Sequence, residues 1–188
     1  MFKKISDFFY SISTGRAVLV LFVMYLLFNA VILPYCSERI DPGGTVKVLD
    51  LAFGYHTQEA KQVLEAFGEE GRKTYFFVDS VIDIAYPIIY TLFNILLFGF
   101  FLRQFFPKGT KYQWINLVPL ITMLFDFGEN IHILRLIRQY PDLHSSTVLM
   151  ASVLGMIKWI LGISIMLFSV LLFIAWMIKK YIQRKTIS

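Results

Sequence analysis

The stretch TMLFDFGENIHILRL, residues 122–136, sets Asp126, Glu129, Asn130 and His132 into a segment otherwise made of apolar residues. Carboxyls shielded from water shift toward neutrality, and an acid so shifted serves as a proton donor or acceptor near pH 7. A second stripe lies upstream, where Asp79, Asp83, Tyr86 and Tyr90 recur at helical intervals with Pro87 beside them. A third combines the small residues Ala151, Gly155 and Gly162 with one cation, Lys158. A charge presented to lipid costs several kcal/mol, so the three stripes are expected to face one another inside a bundle. One lysine cannot neutralise Asp83, Asp126 and Glu129 together, which leaves at least one acid protonated or wet.

Three readings of this cluster stay open. In the enzymatic one, Asp126 and Glu129 handle protons on a lipid or isoprenoid-type substrate, and Asp83 and Lys158 are their electrostatic partners. Tyr86, Tyr90, Asn130 and Asn29 then contact the substrate, and Arg72, in EEGRKTY, stands at the entrance, where it and a helix N-terminus suit a phosphate. In the structural reading, the same network only fixes helix packing in an accessory subunit. In the transport reading, Asp126 or Glu129 carries protons or ions while helices rock, although the inner half of the chain offers no polar path. A metal is a weak fourth reading: Glu129 and His132 have the spacing of a helical carboxylate–imidazole pair, but such sites need a second Glu-x-x-His and two further acids. No cofactor is indicated.

The elements that must position these residues follow from composition. Of 188 residues, 57% are hydrophobic and 16% charged, below the quarter or so of ordinary soluble domains. Four apolar runs each match the roughly 20 residues that cross a bilayer, which predicts helices over about 17–34, 75–102, 114–138 and 147–178. The expected fold is all-α: one domain over 1–188, a four-helix transmembrane bundle with an outer loop at 35–74. Lys3, Lys4 and Arg16 precede the first helix; Arg103, Lys108 and Lys111 join the second to the third; Lys179, Lys180, Arg184 and Lys185 follow the fourth. The positive-inside rule then places both termini in the cytoplasm. This asymmetry accounts for the net charge of +5 and gives no reason to expect nucleic acid as a partner. The partners expected are membrane lipids, and a second subunit if the Ala151, Gly155, Gly162 face packs outward.

The single cysteine, Cys36, excludes an intramolecular disulfide, and LPYC lacks the small residue a lipoprotein cleavage box needs. In the outer loop a turn is expected at Asp41–Gly44. A helix should come after it, with Thr57 as its cap, Gly68 at its end, and Ala60, Val63, Leu64 and Phe67 on one face, forming a lid over the helix ends. Counting about 1.5 Å per residue from the inner ends puts Asn29, Tyr90 and Asp126 at one depth, about 18 Å in.

With GRKTY, DIAYPIIY, DFGEN and KW in this order, the chain resembles a widespread microbial family of small four-helix membrane proteins with the pattern GR-x-x-Y, D-x-x-(Y/F)-P-x-x-Y and D-x-x-E-N. The resemblance runs from about Asp50 to Trp159. It implies the fold but no reaction, and marks Gly71, Arg72, Tyr75, Asp83, Pro87, Tyr90, Asp126, Glu129, Asn130, Lys158 and Trp159, which adds Tyr75 to the candidate substrate contacts. His132 is not part of that pattern.

Overall fold

The computed structural model describes residues 2–106, 108–110 and 112–187; Lys111, counted above among the basic connection residues, lies outside them. Among the described residues every regular element is helical. They are α1, Phe2–Ile12; α2, Gly15–Ile40; α3, Thr57–Ala66; α4, Gly68–Phe105; α5, Pro119–Gln139, preceded by a 3-10 turn at Gln113–Leu117; and α6, Ser145–Ile187. Four helices, α2, α4, α5 with its leading turn, and α6, are long and apolar enough to cross a membrane.

α1 is the element the hydropathy pattern did not reveal, because it is short and carries Lys3, Lys4 and Asp7. It packs on the 3-10 turn and on the end of α4. The Ser6 hydroxyl donates to Asn116 Oδ1 at 2.8 Å, Gln113 Nε2 donates to Asp7 at 2.7 Å, and the Tyr10 hydroxyl donates to the Phe106 carbonyl at 2.7 Å. Phe2 and Phe8 stay exposed, as on a helix lying in a membrane interface. The Lys179 ammonium meets the Gln104 carbonyl, so the far end of α6 shares this terminal end of the bundle with α1.

α2 starts at a Thr14 cap, which accepts from the Ala17 N–H at 3.2 Å. It is interrupted by a π-turn at Phe28–Ile32, just before Pro34, whose missing N–H cannot continue the α ladder. The apolar window of α2 buries no residue, and its outer side is a lipid-type surface. It is held to α4 by rings: Phe22 and Tyr25 on Phe93 at 5.5 and 5.6 Å, and Tyr25 and Phe28 on Tyr86 at 6.2 and 5.8 Å.

At the opposite, loop end, the turn at Asp41 forms as expected. Gly44 adopts φ 58°, and the Val46 N–H together with the Thr45 hydroxyl holds the Asp41 carboxyl below the ordinary carboxylate range. The chain then dips into the bundle. Leu49 is buried, its N–H donates to the Tyr75 hydroxyl at 3.1 Å, and the Tyr55 N–H donates to Ser152 Oγ at 2.9 Å. α3 does present Ala60, Val63, Leu64 and Phe67 to the core. Its cap is a correction: His56, not Thr57, is the N-cap, because the Glu59 carboxylate accepts from the His56 N–H at 2.8 Å. Gly68, at φ 63°, turns α3 directly into α4 with no loop between.

α4 begins at Gly68, well before the expected start at 75, because Glu69, Glu70, Arg72 and Lys73 hide its first turns from a hydropathy reading. At 38 residues it is about 57 Å long, more than the roughly 30 Å that crossing a hydrocarbon layer requires. α6 likewise runs past 178 to Ile187. The core is divided in two. Leu49, Leu64, Tyr75, Ile133, Leu136 and Val148 belong to a cluster at the loop end, and Tyr10, Phe98, Phe101, Leu102, Ile165 and Leu172 form another at the terminal end. The helices that carry these clusters also carry Asp83, Asp126, Glu129 and Lys158, while Ser6, Gln113 and Asn116 form a separate buried polar group at the terminal end.

Candidate functional site

Lys158 on α6 is the hub of the polar layer. Its ammonium pairs directly with Glu129, stands 3.7 Å from Asp126 Oδ1, and donates to the Asp50 carbonyl at 3.2 Å. Glu129 is fully buried and lies against Gly155, where a Cβ would come within 2.9 Å of the Glu129 Cδ. Asp126 receives a second contact from the Tyr90 hydroxyl, which donates to Oδ2 at 2.8 Å. The equal depth expected for Tyr90 and Asp126 is thus realised as a bond. Asn29 sits a turn away instead: the Tyr86 hydroxyl donates to Asn29 Oδ1 at 3.0 Å, and Asn29 Nδ2 returns to the Tyr25 carbonyl at 2.7 Å.

Pro87 explains Asn130. A proline within a helix leaves the carbonyl four residues earlier without its N–H donor, here that of Asp83. Asn130 Nδ2, reaching across from α5, donates to that carbonyl at 2.8 Å. Asn130→Leu should therefore cost about 1–3 kcal/mol, the penalty of a buried carbonyl left without a donor. The double variant Pro87→Ala with Asn130→Leu should recover most of it, since an alanine N–H at position 87 restores the helical donor. Thermal unfolding of the four members of that cycle in detergent checks both statements.

Between α2, α4, α5 and α6 lies a cavity of about 600 Å³. One end is polar, lined by Asp50, Asp83, Tyr86, Tyr90, Asp126 and Lys158; the other is mainly apolar, lined by Phe93, Leu97, Ile163, Met166 and Val170, with Asn94 and Ser169 among them. α2 and α6 both line it but do not pack along one another, which leaves a slot between them on the apolar flank. Three carboxyls, of Asp50, Asp83 and Asp126, meet this space with a single ammonium among the described residues.

Of the residues singled out in the sequence, Asp83, Asp126, Lys158, Asn130, Tyr86, Tyr90 and Asn29 come together on the cavity. Glu129 stands behind Lys158. Arg72 is a correction: it is not at the cavity, because Nη1 donates to the Leu64 carbonyl at 2.8 Å and the guanidinium stacks 4.1 Å over Tyr140, clamping the end of α3 to the end of α5. Tyr75 also lies off the cavity, buried, where its hydroxyl donates to Asp50 Oδ1 at 3.1 Å and positions that acid. Ala151 and Gly155 face α5 of the same chain and present no outer surface to a second subunit; Gly162 lines the cavity. His132 Nδ1 is hydrogen-bonded to the Gly128 carbonyl at 2.7 Å, one turn back, and no group of three metal-type side chains is assembled among the described residues.

Sequence reasoning passed over one contributor, Asp50, and gave no site role to two residues it had marked, Trp159 and Asp79. Asp50 lies in a single 3-10 turn, Leu49–Leu51, too short for periodicity to mark it; the only signal is one acid in the apolar run KVLDLAF. Trp159 lines the cavity beside Lys158. Asp79 was visible in the α4 stripe but is covered by the dipping loop: it is fully buried, and neither oxygen has a hydrogen-bond partner among the described residues. Nearby, burial, and after it the carboxyls of Glu129, Asp50 and Asp79, pushes the Tyr55 phenol well above its ordinary range. Comparison of the chain with protein-family models, with curated proteins and with solved structures found no match.

Proposed function

We propose that this chain is a multi-pass membrane protein that draws an amphiphilic, lipid or isoprenoid-type substrate into the cavity through the slot between α2 and α6 and acts on it by proton transfer. The observation that carries this reading is the graded lining: carboxyls, phenols and an ammonium at one end, and mainly apolar walls toward Ile163 and Val170 at the other, where Asn94 Nδ2 and the Ser169 hydroxyl are given to main-chain carbonyls of their own helices. A cavity of this volume and composition suits a ligand with one polar end and a hydrocarbon body. Asp126 is the proton-handling group, since it meets the cavity while the Tyr90 hydroxyl and the Lys158 ammonium hold its carboxylate in place. Glu129, with no exposure, acts through Lys158 as its counter-ion. Asp83 supplies further negative charge at the head of the cavity.

The basic residues gather at the terminal end, which we assign to the cytoplasm; the cavity then belongs to the outer half of the bilayer. The apolar cluster around Phe98 and Leu172 closes the bundle below the cavity, which favours binding and chemistry over transport. The structural reading has its own support in the fully buried Glu129 paired with Lys158. Analysis of the amphiphiles that co-purify with the wild type and with Asp126→Asn separates the two. Acid–base chemistry predicts that the variant retains bound amphiphile but with unprocessed substrate enriched. The same molecules in the same ratio from both proteins would leave the network a structural role. Loss of every bound amphiphile in Gly162→Leu, whose side chain enters the cavity, is expected on the binding reading.

A further inference from the structure

The charge and the engaged donors of the cavity go further than its shape. We infer that the head group it takes is cationic, an ammonium carried on a hydrocarbon body; this inference rests on the reading of the cavity as an amphiphile site.

Charge points to it first. Asp50, Asp83 and Asp126 meet the cavity, and Lys158, the one cation lining it among the described residues, is committed to Glu129, to Asp126 and to the Asp50 carbonyl. Asp83 points the same way. That residue is 8% exposed and lines the cavity, yet among the described residues its carboxylate accepts no hydrogen bond and joins no ion pair; only its main-chain carbonyl is bonded, by Asn130. A carboxyl so buried and unpartnered is the group that an ammonium entering the cavity would pair with, the carboxyl giving up its proton to solvent if it holds one. The wall beside it suits that cation. Tyr86 and Tyr90 stand edge to face at 5.3 Å, with Tyr25 stacked on Tyr86, and aromatic faces next to carboxylates are the surroundings that hold ammonium groups.

The state of the donors disfavours an anionic head. Phosphate recognition needs free donors, above all a guanidinium. Here the Tyr86 hydroxyl is given to Asn29, the Tyr90 hydroxyl to Asp126, Asn94 Nδ2 to the Tyr90 carbonyl and the Lys158 ammonium to its three acceptors, while Arg72 is clamped elsewhere. The donors of lining residues that have no partner among the described residues, Thr122 Oγ1 and Trp159 Nε1, are neutral, single and buried. The hydrocarbon then extends past Phe93 and Leu97 toward Met166 and Val170.

The test is titration of the purified chain in a maltoside detergent, monitored through the fluorescence of Trp159 on the cavity wall in a Trp114→Phe, Trp176→Phe background. The probes share one chain length: dodecylamine, dodecanol and dodecyl phosphate. Dodecylamine should bind saturably, dodecyl phosphate should not, and Asp83→Asn should weaken the amine at least ~10-fold, as loss of a buried charge contact does, while leaving dodecanol unchanged. If Asp83→Asn does not fold, Asp50→Asn, in the loop, serves for the same comparison, and the order of the three probes on the wild type already decides the matter. Dodecyl phosphate binding as tightly as the amine, or an amine affinity indifferent to both substitutions, overturns the cationic assignment while the amphiphile reading survives. If none of the three binds, the amphiphile reading falls with it. Lysophosphatidylethanolamine then tells the source: binding with the same Asp83 dependence points to an aminolipid of the bilayer, and its exclusion points to a free lipophilic amine; both support an ammonium head.

Discussion

Lys158→Met is expected to be the most damaging single substitution in the polar layer, lowering stability by about 3–5 kcal/mol, the range for removing one partner of a buried ion pair. The methionine fills nearly the same volume, so the loss is electrostatic. Glu129, fully buried, would be left with no cation, Asp126 would retain only the Tyr90 hydroxyl, and the Asp50 carbonyl would lose its donor. Against the roughly 5–15 kcal/mol by which folded domains exceed their unfolded states, such a loss brings the chain close to its limit. Thermal unfolding in a mild detergent is the measurement. The partner experiment is the double variant Lys158→Met with Glu129→Met, which removes the stranded charge along with the cation. It should be markedly more stable than Lys158→Met alone, because apolar replacement of a whole buried pair is often neutral or better. A double variant no better than the single would mean that Lys158 acts mainly through Asp126 and the loop. Lys158→Arg should not substitute for the native residue, since a planar guanidinium cannot meet three acceptors disposed around a point.

Gly155→Ala is the second large effect, and its sign is opposite to the usual one. In an ordinary helix interior, alanine improves on glycine by up to about 1 kcal/mol. Here the new methyl would press on the carboxyl carbon of Glu129 at 2.9 Å, and Glu129 has no exposed direction in which to retreat. Overpacking of this kind costs about 1–3 kcal/mol, and the displacement also loosens the pairing with Lys158. Gly162→Ala is the control on the same helix, because nothing lies within 4 Å of its Cβ position. Unfolding temperatures should fall for Gly155→Ala and hold or rise for Gly162→Ala; equal shifts for both would show that Glu129 moves aside at little cost.

The parts of this arrangement that helical periodicity encodes were legible in the sequence. The stripes carrying Asp83, Tyr86 and Tyr90, then Asp126 and Asn130, then Lys158, each follow a 3.6-residue repeat, and lipid forbids them any direction but inward. Periodicity does not say which atoms meet. The depth count brought Tyr90 level with Asp126 but did not show that Asn29 is bonded by Tyr86, one turn away on α4, rather than by Tyr90. Its charge and its place by a helix N-terminus sent Arg72 to the cavity entrance; the lack of a loop at Gly68 instead holds it over Tyr140. Asp50 was not legible, because a loop whose regular structure is one 3-10 turn takes its course from the interior groups that bind it. α1 could not be read from hydropathy, but Ser6 and Tyr10, four positions apart, share the face that packs on the terminal end.

The dipping loop is fastened by its backbone. The Leu49 N–H goes to the Tyr75 hydroxyl, the Tyr55 N–H to the Ser152 hydroxyl, and the Lys158 ammonium to the Asp50 carbonyl. The information that sets the path of the loop is therefore stored in the helices, at positions 75, 152 and 158. Exchanging much of the outward-facing loop sequence, as in a chimera between related chains, should leave that path intact as long as the three receiving residues are present. A transplanted loop would be accepted or refused according to the helices of its host.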